Sequence, residues 1–197
     1  PEKIPTTPWI YLTSMGMKFE TVYARVVEHV RANPTVKLAF NPGSRQIRVG
    51  VEKFKNVLEV AYALYVNRKE AEVITGFEGS EGKEKELLRK VCAMGPKVSI
   101  VTDGVNGSFV FDGEKFYKAG VLPVDSYERT GAGDAFGSGC ISALIKGKDF
   151  REALLWGTVN SASVIGYAGA QRGLLREDEI GEWLERAKSC KVEVEEF

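Results

Sequence analysis

The chain has 197 residues, a length that suits one domain with a sizeable core. Its 27 basic and 27 acidic residues cancel to a formal net charge of zero, so nothing steers it to nucleic acid or to an acidic membrane. Cys92, Cys140 and Cys190 are far apart, odd in number and without C-x-x-C spacing, which argues against a disulfide framework and a zinc site and suits a reducing cytoplasm.

The first element, residues 9 to 14, is a short apolar strand after a Pro/Thr-rich lead. Phe19, Val22, Tyr23, Val26, Val27 and Val30 then recur at helical spacing, and Asn33-Pro34 ends that helix. His29, the only histidine, falls away from this stripe and is expected in solvent, so Ser-His-Asp and Cys-His hydrolase schemes have no base. A second strand spans 36 to 40 and closes in Asn41-Pro42-Gly43. Phe54, Val57, Leu58 and Ala61 carry another helix, and 63 to 66 the third strand. Strands that are apolar throughout, alternating with amphipathic helices, predict a parallel sheet covered on both faces. Ligands then bind beyond the carboxyl ends of the strands.

Asn67-Arg68-Lys69-Glu70 follows the third strand directly. Asn67 and Glu70, three apart at a helix start, face the same way and are able to hold a hydrated Mg2+; the alternative is a plain helix start with Asn67 as N-cap. Leu87, Leu88 and Val91 mark a further helix, followed by the strand 98 to 101. That strand opens into Thr102-Asp103-Gly104-Val105-Asn106-Gly107, a T-x-G-x-x-G turn that can wrap phosphate oxygens or simply reverse the chain. Residues 108–111 and 115–118 flank Asp112-Gly113 as a hairpin toward one edge of the sheet.

Glu128-Arg129-Thr130-Gly131-Ala132-Gly133-Asp134-Ala135-Phe136-Gly137-Ser138-Gly139 is the stretch around which the rest is organised. Phe136, Cys140, Ala143 and Leu144 predict a helix beginning at the Gly131-Ala132-Gly133 turn, with Asp134 in its first turn. Unpaired amides and the positive end of the helix dipole make an anion site there. Asp134 beside it reads either as a dipole-stabilising acid or as a base poised to take a proton from an attacking hydroxyl. The G-x-G-x-x-x-G spacing is not a dinucleotide fingerprint, and no P-loop string occurs.

After this helix, Asp149 and Glu152 predict a capping box, and the helix they start runs to Ile165 with Asn160, Ser161 and Ser163 interrupting its apolar pattern. Residues 166–170 form a loop. A last helix covers roughly 176–188, and the tail 192–197 is an edge strand or frayed. No apolar run approaches a membrane span.

The 128–136 stretch resembles the C-terminal signature D-T-x-G-A-G-D-x-F of the ribokinase-like (pfkB-type) carbohydrate kinases, with Glu128 and Arg129 departing from its commonest form. The resemblance implies a three-layer α/β/α sandwich with a mainly parallel sheet. It also implies that residues 1–197 are the C-terminal part of such a kinase domain. The upstream portion and lid, which supply further strands and most sugar contacts, would then be absent. It implies an ATP-dependent kinase acting on an alcohol group of a sugar or nucleoside. Asp134 would be the base, and the amides of Gly131, Ala132 and Gly133 the stabilisers of the transferring group. Thr102, Gly104 and Gly107 would hold ATP, Asn160 would touch its base or ribose, and Asn67 and Glu70 would sit near Mg2+. Thr130 matches a position beside a monovalent cation, but Glu128 replaces the usual Asp and is one methylene longer, which argues against K+ dependence. The resemblance leaves the sugar or nucleoside and a homodimer open. The rival reading is a nucleotide-binding or regulatory module without catalysis.

Overall fold

Why the strands stay buried is visible in their composition: Lys37–Phe40 (β2), Ala63–Asn67 (β3) and Val98–Thr102 (β4) are mostly apolar without alternation, and Leu38, Phe40, Leu64 and Ile100 are fully buried. The structure is a computed structural model that describes residues 4, 7–16 and 18–197. Its contacts divide into two compact units, Pro1–Val101 with Phe111–Glu114, and Thr102–Val110 with Lys115–Phe197.

In the first unit Trp9–Leu12 (β1), β2, β3 and β4 follow one another across the sheet in sequence order. β1 pairs parallel with β2 in the register Trp9↔Lys37 to Leu12↔Phe40, and β2 pairs parallel with β3 through Ala39↔Ala63. The helices are Phe19–Ala32 (α1), Ser44–Val49 (α2), Lys55–Val60 (α3), Arg68–Thr75 (α4) and Glu84–Cys92 (α5). The sequence reading contains no counterpart of α2: it is short, and Gly43 and Gly50 flank it. What fixes it is Gln46, fully buried, which donates to the Met15 carbonyl at 2.6 Å and accepts from Ser14 Oγ at 3.1 Å.

Arg68, the second residue of the N-x-x-E stretch, turns inward. Its guanidinium donates to the Ser80 carbonyl at 2.8 Å and Ser80 Oγ at 3.0 Å and pairs with Glu84 at 2.7 Å, so it ties the turn after α4 to α5. His29 corrects an expectation: it is half-buried, and among the described residues its Nε2 is shielded from solvent without a hydrogen-bond partner.

In the second unit Ser108–Phe111 (β5), Phe116–Ala119 (β6) and Val194–Glu196 (β7) lie in that order. The tail is therefore a strand. β7 runs antiparallel to β6, with Tyr117 opposite Glu196, and Phe197 packs its ring on Phe109 and Phe116 at 6.0 Å. The helices are Ala132–Ile145 (α6), Phe150–Ile165 (α7) and Glu177–Ser189 (α8). At the start of α7 only half of the expected capping box forms. Asp149 accepts from the Glu152 amide at 2.8 Å, whereas the Glu152 carboxylate goes to Lys148 at 2.9 Å.

α6 and α7 approach closely because glycine faces backbone at the crossing. A Cβ on Gly139 would lie 2.8 Å from the Trp156 carbonyl oxygen, and one on Gly157 would lie 2.9 Å from that of Phe136. Neither neighbour is a flexible side-chain end, so the helices would have to separate. Replacing Gly139 by Val is expected to destabilise the fold by about 1–3 kcal/mol. A urea midpoint equal to that of the unaltered protein would contradict this packing account.

Candidate active site

The second unit contains a cavity of about 330 Å³, within the size range of small-ligand pockets. Its wall is built from three pieces of chain: the Thr102–Ser108 loop, the Gly120–Ser126 segment, and the facing starts and ends of α6 and α7.

The elbow into α6 is held by geometry that only glycine satisfies. Gly131 has φ 83°, and a Cβ there would come within 2.5 Å of the Ala170 Cβ. The preceding residues are fastened to the end of α7. Tyr127 and Glu128 donate their amides to the Ile165 carbonyl at 2.7 and 3.1 Å, and Glu128 Oε2 accepts from the Gly169 amide at 2.9 Å. The Thr130 hydroxyl, and after it the Gly169 N–H, hold the Glu128 carboxyl below the usual carboxylate range. Thr130 itself is exposed.

Ala132 and Gly133 line the cavity, and Asp134 is exposed in the first turn of α6 rather than sealed in apolar packing. The arrangement joins a helix N-terminus, which favours an anion, to a carboxylate free to meet a second reactant. The Ala132 amide is not open in this state, because it donates to the Arg129 carbonyl at 3.2 Å.

Thr102, Gly104 and Gly107 also line the cavity. The loop they belong to closes on itself: Asp103 donates to the Gly107 carbonyl at 2.8 Å, Asn106 to that of Asp103 at 3.0 Å, and Gly107 to that of Gly104 at 3.2 Å. Gly107 sits at φ 90°, and a Cβ there would collide with the Ala119 carbonyl oxygen. The amide expected to wrap phosphate at Gly107 is thus spent inside the turn. The glycine serves the close approach of β6.

Asn160 is where the structure departs most from the expectation of a base or ribose contact. It is buried, donates to the Ala135 carbonyl at 2.7 Å and to Ser138 Oγ at 3.3 Å, and accepts from the Leu175 amide at 2.9 Å. Both of its donors are engaged in clamping α7 to α6 and to the chain before α8. The α7 residues that do line the cavity are Thr158, Ser161, Ala162 and Ile165, at positions i, i+3, i+4 and i+7 of one face. Asn160 stands about 200° round the helix from Thr158. The polar interruption in this helix was the right signal, and the 3.6-residue period picks Ser161 rather than Asn160. Ser108 and Leu122 are further lining residues that no motif announces, and Arg129 and Phe136 line the cavity from within the 128–136 stretch without a role having been expected of either.

In the first unit, Asn67 and Glu70 form a reciprocal capping box. Asn67 Oδ1 accepts from the Glu70 amide at 2.9 Å, and Glu70 Oε2 accepts from the Asn67 amide at 3.1 Å. Ser44 Oγ donates to Glu70 Oε1 at 3.3 Å. The Glu70 carboxylate and the Asn67 amide oxygen keep lone pairs beyond these bonds, which fits contact with the water shell of a hard cation such as Mg2+ rather than direct ligation. Among the described residues no group of three or more His, Cys, Asp or Glu is placed to hold a metal. None of the described helices is long and apolar enough to cross a membrane.

Residues 13–177 match the family described as pfkB family carbohydrate kinase. Among curated proteins the chain is similar to an ATP-dependent 6-phosphofructokinase of Thermoanaerobacterium thermosaccharolyticum, 34% identical over 61% of this chain and 36% of that protein. It is also similar to a ribokinase of Haemophilus influenzae, 29% identical over 77% of this chain and 48% of that protein. The chain therefore spans half or less of the length of these relatives. Among solved structures it resembles Arabidopsis thaliana ribokinase complexed with ribose and ATP, at TM-score 0.76 and 22% identity, over 90% of this chain and 56% of the other. That likeness shows a ribokinase-like α/β fold, the α/β/α sandwich with a mainly parallel sheet expected from the sequence.

The Glu128 clasp makes a prediction. The folded-state pKa lies below the ordinary value of 4.5, so the clasp is complete above that value and is lost as pH falls through the depressed one. At neutral pH, Glu128→Ala is expected to lower the protection of the Gly169 amide from hydrogen exchange, and to remove the further loss of protection that acid causes in the unaltered protein. An exchange rate unaltered by the substitution would show that the loop is held elsewhere.

Proposed function

We propose that this chain, which belongs to the pfkB family of carbohydrate kinases, carries the nucleotide-binding and catalytic part of an ATP-dependent phosphotransferase acting on an alcohol group of a sugar or nucleoside. The observation that carries the reading is one of placement. An exposed carboxylate, Asp134, stands in the first turn of a helix whose N-terminal residues line a cavity of about 330 Å³. Family membership and the likeness to an ATP-bound ribokinase support it.

In this mechanism the acceptor hydroxyl meets Asp134, which takes its proton as the oxygen attacks the γ-phosphorus in line. The new O–P bond forms while the bond from phosphorus to the β,γ-bridging oxygen breaks, and ADP leaves. The N-terminus of α6, with the amides of Gly131, Ala132 and Gly133, stabilises the charge that builds on the transferring group; Ala132 first has to give up its weak bond to Arg129. Thr102 and Gly104 contribute to the nucleotide wall. Asn67 and Glu70 would hold Mg2+ through its water shell, and Mg2+ when bound would neutralise phosphate charge. Positioning and electrostatics supply most of the rate.

We read residues 1–197 as the C-terminal part of a kinase domain, with the acceptor contacts supplied by sequence outside it. The coverage of half or less of the relatives' own length supports this. Three free cysteines suit a reducing cytoplasm.

In the full-length protein, Asp134→Asn is expected to lower kcat by about 10²–10⁴-fold with the fold intact by circular dichroism. A near-unaltered rate would remove Asp134 from the mechanism. ATP binding without turnover on any sugar or nucleoside of a broad panel would favour the regulatory module instead. The rate is also expected to be insensitive to replacing K+ by a large organic cation, because Glu128 is already engaged by Thr130 and Gly169. A requirement for K+ would show that the clasp opens to admit the ion.

A further inference from the structure

The cavity has a cation of its own. Arg129 lines it beside Ala132 and Gly133, and among the described residues no ion pair or hydrogen bond engages its guanidinium. Arg129 is itself exposed. Arg68, Arg151, Lys115, Lys146 and Lys148 all reach carboxylates. The carboxylate next to Arg129 in sequence, Glu128, is turned to Gly169 and Thr130 instead.

A second feature of the same cavity also asks for a ligand. Ser108 and Thr158 line it, are 2% and 6% exposed, and have hydroxyl oxygens without a hydrogen-bond partner among the described residues. A buried hydroxyl left unpaired costs free energy that a bound polar group would recover. Much of the remaining wall is apolar, with Val105, Val121, Leu122 and Phe136. Apolar surface, two orphan hydroxyls and one unpaired guanidinium together suit a ligand with a flat apolar body, polar edges and an anionic chain.

Building on the kinase reading above, we propose that Arg129 is a specificity-determining residue for the phosphate donor, its guanidinium gripping the donor's phosphate chain. The guanidinium fork matches two phosphate oxygens at once, which a helix terminus alone does not do. Arg129 thereby makes binding depend on how many phosphates the ligand carries. A nucleoside loses this contact, whereas a di- or triphosphate gains it. Because Arg129 immediately precedes Thr130 and the Gly131 elbow, gripping the phosphates also pulls on the carbonyl that holds the Ala132 amide, and so couples donor binding to opening of the anion cradle.

The test compares the full-length protein with Arg129→Met and Arg129→Lys, measuring by calorimetry the binding of ATP, ADP and adenosine without acceptor. Arg129→Met is expected to weaken ATP and ADP by about tenfold or more, to leave adenosine within twofold, and to flatten the salt dependence of ATP binding. Arg129→Lys is expected to restore part of the loss. ATP affinity within twofold of wild type in Arg129→Met overturns the proposal, and so does an equal loss for adenosine, which marks a structural role. Absence of acceptor turnover with intact Arg129-dependent ATP binding would sink the kinase reading alone. No ATP binding by the wild type would sink both.

Discussion

The whole site depends on one backbone constraint, the left-handed Gly131 against Ala170. At φ 83° and with no room for a Cβ, this residue turns the chain sharply enough to start α6 at the cavity wall. Everything chemical follows from where that start lies: the helix dipole, the amides of the first turn, and Asp134 exposed among them. The elbow is not left to glycine alone. Two amides from Tyr127 and Glu128 reach the Ile165 carbonyl, and the Glu128 carboxylate reaches Gly169, so the residues before the elbow and the loop after α7 are one hydrogen-bonded piece.

That piece is only as well placed as the two helices behind it. Gly139 and Gly157 let α6 and α7 approach until backbone meets backbone, and Asn160 locks the contact with bonds to Ala135, Ser138 and Leu175. A buried amide whose donors are both used is a rigid joint, since leaving either unpaired would cost about 1–3 kcal/mol. Rigidity behind the elbow and an open, partly unsatisfied wall in front of it is the division of labour expected of a site that pre-arranges its electrostatics before substrate arrives.

Much of this was legible in the residues, and the failures have physical causes. The β2, β3 and β4 strands announced themselves through mostly apolar runs without alternation, and the Gly131-Ala132-Gly133-Asp134 elbow through its composition. α2 stayed hidden because it spans barely two turns and owes its position to the buried Gln46, a long-range contact that local pattern does not encode. Asn160 drew attention for the right reason, polarity in an apolar helix, but polarity alone does not tell a clamp from a ligand contact; helical phase does. Gly107 looked like a phosphate-loop glycine, and its necessity turned out to come from the Ala119 carbonyl behind it. The Asn67–Glu70 pair forms the capping box that spacing allowed, and that box leaves the role toward Mg2+ as a proposal. Cys140, buried so that its thiol is pushed up to about 12, has no reactive role.

The central claim is that the nucleotide's phosphates sit at the Gly131 elbow, in reach of the α6 N-terminus. Backbone amide chemical shifts recorded while the full-length protein is titrated with a non-hydrolysable ATP analogue and Mg2+ address it most directly. The account predicts that the amides of residues 131–134 and 102–107 move together along one saturating curve. Saturable binding that leaves 131–134 unmoved would contradict it.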